Sequence, residues 1–244
     1  MTNDPAEPLS PPPPPAPGRV VRAWKEFRQL ALIAILLFTG RSVLADWYQV
    51  PTGSMKPTIL EGDRVFVLKC AYQIRVPFTA LRLFRTGSPR RGDVVVLRNP
   101  DGGRVPLVKR VVGLAGDRVE LKNERLFVNG VFQKLRMRPV SGGGEEEPFR
   151  WVGTEDLNGK IHPVQVLPER PAMRTFGPVL VPADSVFLMG DNRDDSRDGR
   201  YFGPRPVADL LGKAEGVFWS WQPEFWKGPR LARFGRPFAS EPKI

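Results

Sequence analysis

The strongest constraint on the fold is a series of short apolar runs, rich in β-branched residues, that begins after Gly62. Gly, Pro, Asp and Asn separate one run from the next. The runs span residues 64–68, 93–98, 105–113, 118–121, 126–128, 179–181, 186–189 and 212–221. Short strands with turn residues between them are typical of an all-β domain. The sequence therefore predicts a mainly β protein built from coiled antiparallel sheet.

One separator has the sequence of a tight hairpin turn. Asn129-Gly130 directly follows the apolar run Leu126-Phe127-Val128. Type I′ turns favour Asn-Gly because both central residues take positive φ. The sequence therefore predicts a β-hairpin that turns at Asn129-Gly130.

Strand-like runs are sparse between residues 134 and 176. Glycine and glutamate fill residues 142–147 within this stretch, which predicts its most flexible point. We interpret residues 134–176 as an insertion or small second lobe. The flanking residues 48–133 and 177–238 would then form one β-rich domain.

The first 28 residues differ from the rest of the chain. Five consecutive prolines at 11–15 are incompatible with a regular helix or sheet. Residues 1–28 are therefore predicted to be a disordered tail with a basic flank. That flank consists of Arg19, Arg22, Lys25 and Arg28.

A largely apolar segment follows at residues 29–47. It has roughly the 20 residues that a membrane-spanning helix needs, although Arg41 interrupts it near one end. We predict a transmembrane anchor here. Because the cations precede it, the positive-inside rule puts residues 1–28 in the cytoplasm and the rest of the chain outside. A cleavable signal peptide that ends near residues 43–45 and a buried helix of a soluble protein are the alternatives.

The charge balance limits the classes of partner. The chain has 37 Lys and Arg against 26 Asp and Glu, a net charge of +11, which suits an anionic membrane surface or a nucleic acid. The basic residues are scattered and no nucleic-acid-binding motif accompanies them, so we predict no nucleic-acid partner. A single cysteine, Cys70, excludes an intrachain disulfide, and no Cys/His spacing indicates zinc. We therefore predict no metal and no other cofactor.

Ser54 lies in the segment of residues 49–60 that has the most unusual local sequence. Pro51 and Pro57 lack an amide donor, and Gly53 permits backbone angles that other residues avoid. The serine is therefore predicted to lie on a stiff turn outside regular helix and strand. A serine is a poor nucleophile without a nearby base.

Histidine is the usual base, and the chain has one, His162, beside Pro163. This turn-like setting normally places a histidine at the surface. A Ser/His/Asp triad needs partners that a rigid scaffold holds, so we favour a lysine over His162.

Lys109 is the candidate base. The two-residue repeat of a strand places Lys109 and Arg110 on opposite faces, each with apolar neighbours such as Val108 and Val111. Burial can lower the pKa of a lysine from about 10.4 by several units, whereas an arginine is not discharged in this way. The alternative is that Lys109 reaches solvent or pairs with an acid.

Residues 189–203 form a second dense stretch, with alternating Asp and Arg. It could be a solvated turn, or a buttress in which ion pairs lock a turn that orients a catalytic group. A calcium loop is the third interpretation. It is disfavoured because position twelve of the matching EF-hand pattern is Arg205 and no helix pattern flanks the loop. The pattern would use Asp194, Ser196, Asp198 and Gly199.

Four blocks together closely resemble bacterial type I signal peptidases, the membrane-anchored Ser/Lys endopeptidases. They occur in the family's order and comprise residues 51–58, 62–65, 91–95 running on to 109–113, and 190–196. The resemblance extends from the predicted anchor to Phe238, except for residues 134–176. It implies that the β-rich domain is catalytic and extracytoplasmic.

The resemblance also implies a role for each catalytic residue. Ser54 would attack the scissile carbonyl, and neutral Lys109 would accept its proton. The Ser54 amide and the Thr52 hydroxyl would form the oxyanion hole. Ser196 would orient the lysine. A supporting shell would comprise Gly190, Asp191, Asn192, Arg193, Asp198 and Arg200, with Asp195 where Asn is commoner in the family.

A substrate would lie extended between residues 49–51 and 107–109, main chain to main chain. Shallow pockets for small side chains would favour cleavage after Ala-X-Ala. The implied substrate-binding residues are Gln49, Val50, Pro51, Met55, Ile59, Leu107 and Val108.

The sequence thus predicts a monomeric, single-pass enzyme of the bacterial inner membrane whose partners are signal-peptide-bearing preproteins and the lipid bilayer. Trp219, Trp221 and Trp226 would lie in the core or contact the bilayer. Two alternative functions are a Ser/Lys peptidase that matures one dedicated substrate and a membrane-anchored peptide-binding domain without activity.

Overall fold

The structure is a computed structural model that describes residues 18–76, 79, 81–141, 149–222 and 224–238. The polyproline part of the predicted tail lies outside the described residues. So does the glycine- and glutamate-rich part of the predicted insertion.

The described residues form two α-helices, α1 Arg19–Val43 and α2 Gly199–Phe202, and seventeen strands. In chain order the strands are β1 Ala45–Gln49, β2 Asp63–Leu68, β3 Gln73–Arg75, β4 Arg82–Arg85, β5 Val94–Leu97, β6 Leu107–Gly113, β7 Arg118–Lys122, β8 Arg125–Val128, β9 Val131–Phe132, β10 Leu135–Val140, β11 Arg150–Leu157, β12 Lys160–Val166, β13 Phe176–Leu180, β14 Ser185–Met189, β15 Arg205–Pro206, β16 Leu210–Ser220 and β17 Arg236–Pro237. Single 3₁₀ turns lie at Gly53–Met55, Lys69–Ala71, Val207–Asp209, Phe225–Lys227 and Leu231–Arg233. The prediction of a mainly β protein is confirmed.

The predicted tail and anchor differ from the structure at both ends of the apolar segment. Helix α1 begins at Arg19, so the prediction that residues 19–28 are disordered is wrong. Helix α1 ends at Val43, and residues 45–47 belong to β1, where Trp47 lies opposite Phe66 of β2. Pairing with β2 satisfies the backbone of these residues, so the segment does not continue as a helix through Trp47. Within the described ranges, no helix has both the length and the apolar character required to cross a membrane.

One antiparallel sheet contains most of the predicted strands. Its order is β1-β2-β16-β5-β6-β14-β15, and β17 pairs with β16. Strand β16 has eleven residues and shows register shifts against both β2 and β5, as is typical of bulged, curled sheet. The prediction of coiled antiparallel sheet is therefore also confirmed.

The predicted hairpin joins β8 to β9 within a second sheet, whose order is β13-β7-β8-β9. Asn129 and Gly130 have φ of 55° and 78°, as a type I′ turn requires. Val128 and Val131 pair across the turn. The hairpin prediction is confirmed.

The predicted fall in strand density after residue 134 is wrong. Strands β10, β11 and β12 form a three-stranded antiparallel sheet in this stretch. Polar residues of β10 are exposed, and those that alternate with the buried residues of β11 are half-buried, so polar residues interrupt the apolar pattern that marks a strand in sequence. Strand β12 also connects this sheet to residues 189–203, the charge-rich turn. The Gln165 amide donates to the Asp191 carbonyl (2.9 Å), and the Arg193 amide donates to the Gln165 carbonyl (2.8 Å).

The core lies on both faces of the large sheet. Strand β5 shows this directly, because Val94 and Val96 belong to one buried cluster and Val95 and Leu97 belong to another. Strand β6 is buried over residues 108–113. A cation on either face of this strand therefore has little access to water.

Candidate active site

Ser54 lies in the 3₁₀ turn Gly53–Met55, after the extended residue Thr52 (φ −125°, ψ 152°). The buried side chain of Met55 fixes the turn to the core. The turn is thus outside regular α-helix and strand, as predicted. The expected use of Gly53 is wrong, because its φ is not positive. A Cβ there would lie 2.9 Å from Glu61 Oε1, the end of a flexible side chain that can move away.

The charge-rich turn holds the backbone of Ser54 from behind. The Asn192 amide donates to the Ser54 carbonyl (3.1 Å), and Asn192 Nδ2 donates to the Gly53 carbonyl (3.1 Å). A Cβ on Gly190 would lie 2.5 Å from the Ser54 carbonyl oxygen, so only glycine permits this approach. The two stretches that the sequence singled out therefore meet directly.

Lys109 is the partner of Ser54. Its Nζ lies 2.8 Å from Ser54 Oγ and donates to the Val108 carbonyl at 3.0 Å. The lysine is only 2 % exposed, and no carboxylate of the described residues forms an ion pair with it. Burial lowers the pKa of Lys109 from 10.5 to about 8, although the charges of Asp198 and Asp191 oppose this change. An unpaired amine with this pKa can act as a base near neutral pH.

Arg110 is 3 % exposed but is fully paired. Its Nε and Nη2 contact the two carboxylate oxygens of Asp191 at 2.8 and 2.7 Å, and its Nη1 donates to the Gly92 carbonyl at 2.8 Å. The Thr58 hydroxyl also donates to Asp191. This bidentate pair joins β6 to the charge-rich turn and supports the buttress interpretation.

A second ion pair fixes the turn internally. Asp198 accepts from Arg200 Nε and from the Gly190 amide, both at 2.9 Å. Burial raises the pKa of Asp198, but the hydrogen bonds and charge of Arg200 outweigh it and hold the pKa below its usual value. Asp198 is therefore ionised, and its charge acts on Lys109.

A third buried pair joins Arg193 to Glu155 of β11, with Nη1 and Oε1 3.0 Å apart. The sequence analysis missed Glu155 because it lies in the stretch interpreted as an insertion. Alternation along β11 places Glu155 on the same face as Gly153 and Leu157, both buried. This alternation in the sequence could have predicted that Glu155 is buried.

The position of His162 differs from the prediction. It was expected at the surface, but it is 3 % exposed because it lies opposite Glu155 in the pairing of β11 with β12. Its Nε2 lies 3.6 Å from Glu155 and 3.8 Å from Asp191, and Ser54 contacts Lys109 instead. Burial and the charges of Arg110 and Arg193 hold the pKa of His162 well below its usual value.

Ser196 and Thr52 lie near Ser54, but neither side chain forms a hydrogen bond with Ser54 or Lys109. Ser196 is buried, and its Oγ would lie 2.2 Å from a Cβ on Gly190, yet it forms no hydrogen bond with Lys109. Thr52 is exposed beside the turn. The orienting role of Ser196 and the oxyanion role of Thr52 stay predictions.

The implied substrate residues fall into two groups. Val50, Met55, Ile59 and Val108 lie in one core cluster, and Met55 and Ile59 have no exposed surface. Leu107 packs against a different cluster. Residues such as Met55 would shape a pocket from beneath. Gln49 and Pro51 are exposed.

The backbone of residues 107–109 has an open edge. Strand β5 pairs with residues 107–110 on one side, but β14 reaches only as far as Arg110 on the other. Strand β1 pairs only with β2 among the described strands. Both segments that the resemblance assigns to substrate therefore have main-chain groups without a strand partner on one side.

The carboxylates of the charge-rich turn contact arginines and backbone. Asp194 accepts from the Leu167 amide (2.9 Å) and from Arg174 (3.1 Å). Within the part of the chain that the structure describes, no group of three or more His, Cys, Asp or Glu could hold a metal ion. The geometry of the turn therefore favours a buttress over the calcium-loop interpretation.

Comparison with known proteins gives consistent matches. The family model described as signal peptidase, peptidase S26, matches residues 23–219. Signal peptidase I of Pseudomonas fluorescens and that of Pseudomonas aeruginosa are each 36% identical over 230 residues, covering 88% of this chain and 78% of each relative. Signal peptidase I of Rickettsia typhi is 29% identical over 220 residues, covering 83% of this chain and 82% of the relative.

Among solved structures, a signal peptidase I from Enterococcus faecalis V583 is 26% identical, covers 52% of this chain and 96% of its own, and has a TM-score of 0.31. The assignment rests on the sequence matches, which extend over most of the chain. On those matches, the chain belongs to the signal peptidase family, peptidase S26.

Proposed function

We propose that this protein is a serine endopeptidase that removes N-terminal signal peptides from exported preproteins after Ala-X-Ala-like sites. Ser54 is the nucleophile and Lys109 is the general base. One observation carries the assignment: a buried lysine, with no ion pair to any described residue, lies 2.8 Å from a serine on a turn fixed by the core. The proposed reaction uses only side chains and backbone of this chain and water.

The reaction follows from the proton positions. The neutral Lys109 amine accepts the Ser54 proton as Oγ attacks the scissile carbonyl carbon, and the ammonium then gives this proton to the leaving amine. The amine that leaves becomes the N-terminus of the mature protein, and the signal peptide stays as an ester on Ser54. Lys109 next accepts a proton from water, whose hydroxide attacks the ester and regenerates the Ser54 hydroxyl.

The Ser54 amide and the Thr52 hydroxyl stabilise the oxyanion in both steps. Ser196 supports this chemistry as a positioning residue for Lys109. The support for Thr52 is its place two residues before the nucleophile, in an extended backbone at the start of the turn. Loss of one such donor typically lowers the rate by about a hundredfold or more.

The substrate binds by strand addition between residues 49–51 and 107–109. The open backbone edges at β1 and at the start of β6 support this arrangement. Main-chain hydrogen bonds supply affinity that is independent of sequence, and the pockets beside them select small side chains. This division suits an enzyme whose substrates share little sequence beyond the cleavage site.

The enzyme acts as a monomer at the bacterial inner membrane, with its N-terminus in the cytoplasm and its β domain outside. The cationic flank before the apolar stretch of α1 supports this orientation. Phe218, Trp219 and Trp226 are 54, 40 and 82 % exposed, which suits contact with an interface. Carbonate extraction of membranes tests the location. Release of the intact chain into the supernatant would contradict membrane integration.

The test of the activity is cleavage of a purified preprotein in detergent by the intact chain. Ser54→Ala and Lys109→Ala should be inactive, and Lys122→Ala, which removes an exposed lysine of β7, should be active. Mass spectrometry of the product should place the cut after an Ala-X-Ala site. Cleavage of one preprotein among many would favour the dedicated peptidase. Binding without cleavage would favour the inactive peptide-binding domain.

A further inference from the structure

A cationic groove lies beside the turn that carries Ser54. Its volume is about 610 Å³. Lys56 and Pro57 form one wall, and Gln165 and Asn192 line it from below. Because Asn192 also holds the Ser54 carbonyl, the groove begins next to the nucleophile.

Cations outnumber acids among the described residues that line this groove. The cationic side chains are Lys56, Arg138, Arg150, Arg170 and Arg230, and the carboxylates are Glu61 and Asp195.

Both carboxylates are already committed to one cation each. Lys56 pairs with Glu61 at 3.1 Å, and Arg170 pairs with Asp195 at 2.7 Å. Arg138 is exposed on β10 and forms no ion pair with the described residues. Arg230 contacts Asp63, which lies outside the lining, at 3.5 Å. Arg138 therefore gives the groove a positive charge that no described carboxylate pairs with.

The ion pairs in the groove can exchange partners. The side chains of Arg170 and Asp195 are 55 and 33 % exposed. Exposed pairs of this kind contribute little to stability, so a ligand carboxylate can replace Asp195 at small cost. Arg138 and Arg170 also offer the planar guanidinium that binds carboxylates with two hydrogen bonds.

The position of the groove selects the part of the substrate that reaches it. None of residues 49–51 and 107–109, which hold the acyl side of the substrate in the proposed function, lines the groove. Lys56, which follows Ser54 by two residues, lines the groove, whereas residues 49–51 precede Ser54 and do not. A polypeptide that crosses Ser54 in an extended form would leave on this side.

We infer that the groove binds acidic side chains in the first few residues of the mature protein, directly after the scissile bond. This inference rests on the proposed function and adds a preference on the leaving side of the same site. Arg138 and Arg170 are the residues that set the preference. The attraction acts through exposed charges, so it weakens as salt shortens the Debye length from about 10 Å at 0.1 M.

The experiment uses the intact chain in detergent and three preproteins that differ only at the second to fifth positions after the cleavage site. One carries Glu there, one Gln and one Lys. The native enzyme should cleave the Glu substrate with a kcat/KM about three- to tenfold above that of the Gln substrate, mainly through a lower KM, as expected for one or two exposed charge contacts. The Lys substrate should be cleaved least well.

Charge reversal identifies the residues responsible. Arg138→Glu with Arg170→Glu should reverse the order of the Glu and Lys substrates. Arg125→Glu is the control. It reverses the charge of one exposed arginine on β8 and should retain the native order. The variants' cleavage of the Gln substrate reports that they fold.

Two outcomes would overturn the inference. The first is equal cleavage of the Glu and Gln substrates by the native enzyme. The second is unchanged selectivity of the double variant. If that variant also loses binding to vesicles of anionic phospholipid, the groove binds the membrane instead. If the native enzyme cleaves none of the three substrates, the proposed function fails instead.

Discussion

Two neighbouring basic residues of β6 are buried to the same extent but differ in their partners. Lys109 and Arg110 are 2 and 3 % exposed. Arg110 has a bidentate carboxylate, Asp191, whereas Lys109 has a hydroxyl and a carbonyl. Burial alone therefore does not distinguish the two cations. The difference lies in the counter-charge, because an arginine keeps its proton and needs an acid, whereas a lysine without an acid can lose its proton.

The acids around the dyad are all committed to arginines. Asp198 binds Arg200, Glu155 binds Arg193, and Asp191 binds Arg110. Each pair is close to neutral, so the shell fixes the turn behind Ser54 without placing an acid against Lys109. A shell of unpaired acids would hold the lysine as an ammonium and abolish its role as a base.

Lys109→Met should produce the largest effect on activity. Methionine fills much of the same volume without an amine, so the fold should be retained while kcat/KM for preprotein cleavage falls by about a thousandfold, the scale of a lost general base. Assays with purified protein in detergent measure this loss, with Lys122→Met as the exposed control. Near-native cleavage by Lys109→Met would show that the base is another residue, and the contrast with Arg110 would lose its meaning.

Arg110→Met should act mainly on stability. It leaves Asp191 buried without its partner, which costs about 3–5 kcal/mol for comparable pairs. Denaturant unfolding of the full chain should show this loss, whereas Lys109→Met should not destabilise the fold because no carboxylate is left unpaired. Equal destabilisation by the two variants would contradict the difference in counter-charge.

The sequence predicted the parts of this contrast that local pattern determines. Alternation along β6 placed Lys109 and Arg110 on opposite faces, and the four family blocks identified Ser54 as the partner. Local pattern did not reveal which cation has an acid, because Asp191 lies 81 residues from Arg110 in the chain.

The strands of the predicted insertion were missed for a related reason. Their polar residues face solvent on one side, and on the other side Glu155 and His162 are buried against the charge-rich turn. The sequence pattern predicts a surface position for an acid such as Glu155 unless its partner is known. That partner, Arg193, lies 38 residues away in the chain. Likewise, residues 45–47 of β1 were assigned to the anchor because their pairing with β2 is not visible in the local sequence.

The titration of Lys109 gives a stability effect of intermediate size. Its pKa is about 8 in the folded protein, against an ordinary value of 10.5, so the unfolded chain binds the additional proton between these pH values. Stability should therefore rise with pH across this window, and the penalty for a buried ammonium should be fully present below pH 8. At 1.36 kcal/mol per unit, the native protein should gain about 3 kcal/mol relative to Lys109→Met between pH 7 and pH 10.5. If the free energies of unfolding of the two proteins change with pH in parallel, the pKa of Lys109 is not lowered by folding.

His162→Phe should have a small effect. The histidine is buried and neutral, and its Nε2 is 3.6 Å from Glu155, so a ring of similar size should cost less than about 1.5 kcal/mol of stability. The value of kcat/KM should remain within about threefold of native, since general-base loss costs at least about a hundredfold. A hundredfold loss with a native melting curve would restore the triad alternative and remove Lys109 as the base.

Asp195→Asn should have the smallest effect and tests whether distant acids tune the lysine. The charge of Asp195 raises the pKa of Lys109 less than the charges of Asp198 and Asp191 do. Removing it should lower the pKa of Lys109, so the rise of kcat/KM with pH should begin at lower pH. Asp184→Asn, which removes an exposed carboxylate paired with Arg85, should leave the profile unchanged. A shift in the opposite direction would mean that the turn rearranges and brings another carboxylate closer to the lysine. The expected shift would show that the arginine-paired shell still sets, through its residual field, the pH at which its unpaired neighbour becomes a base.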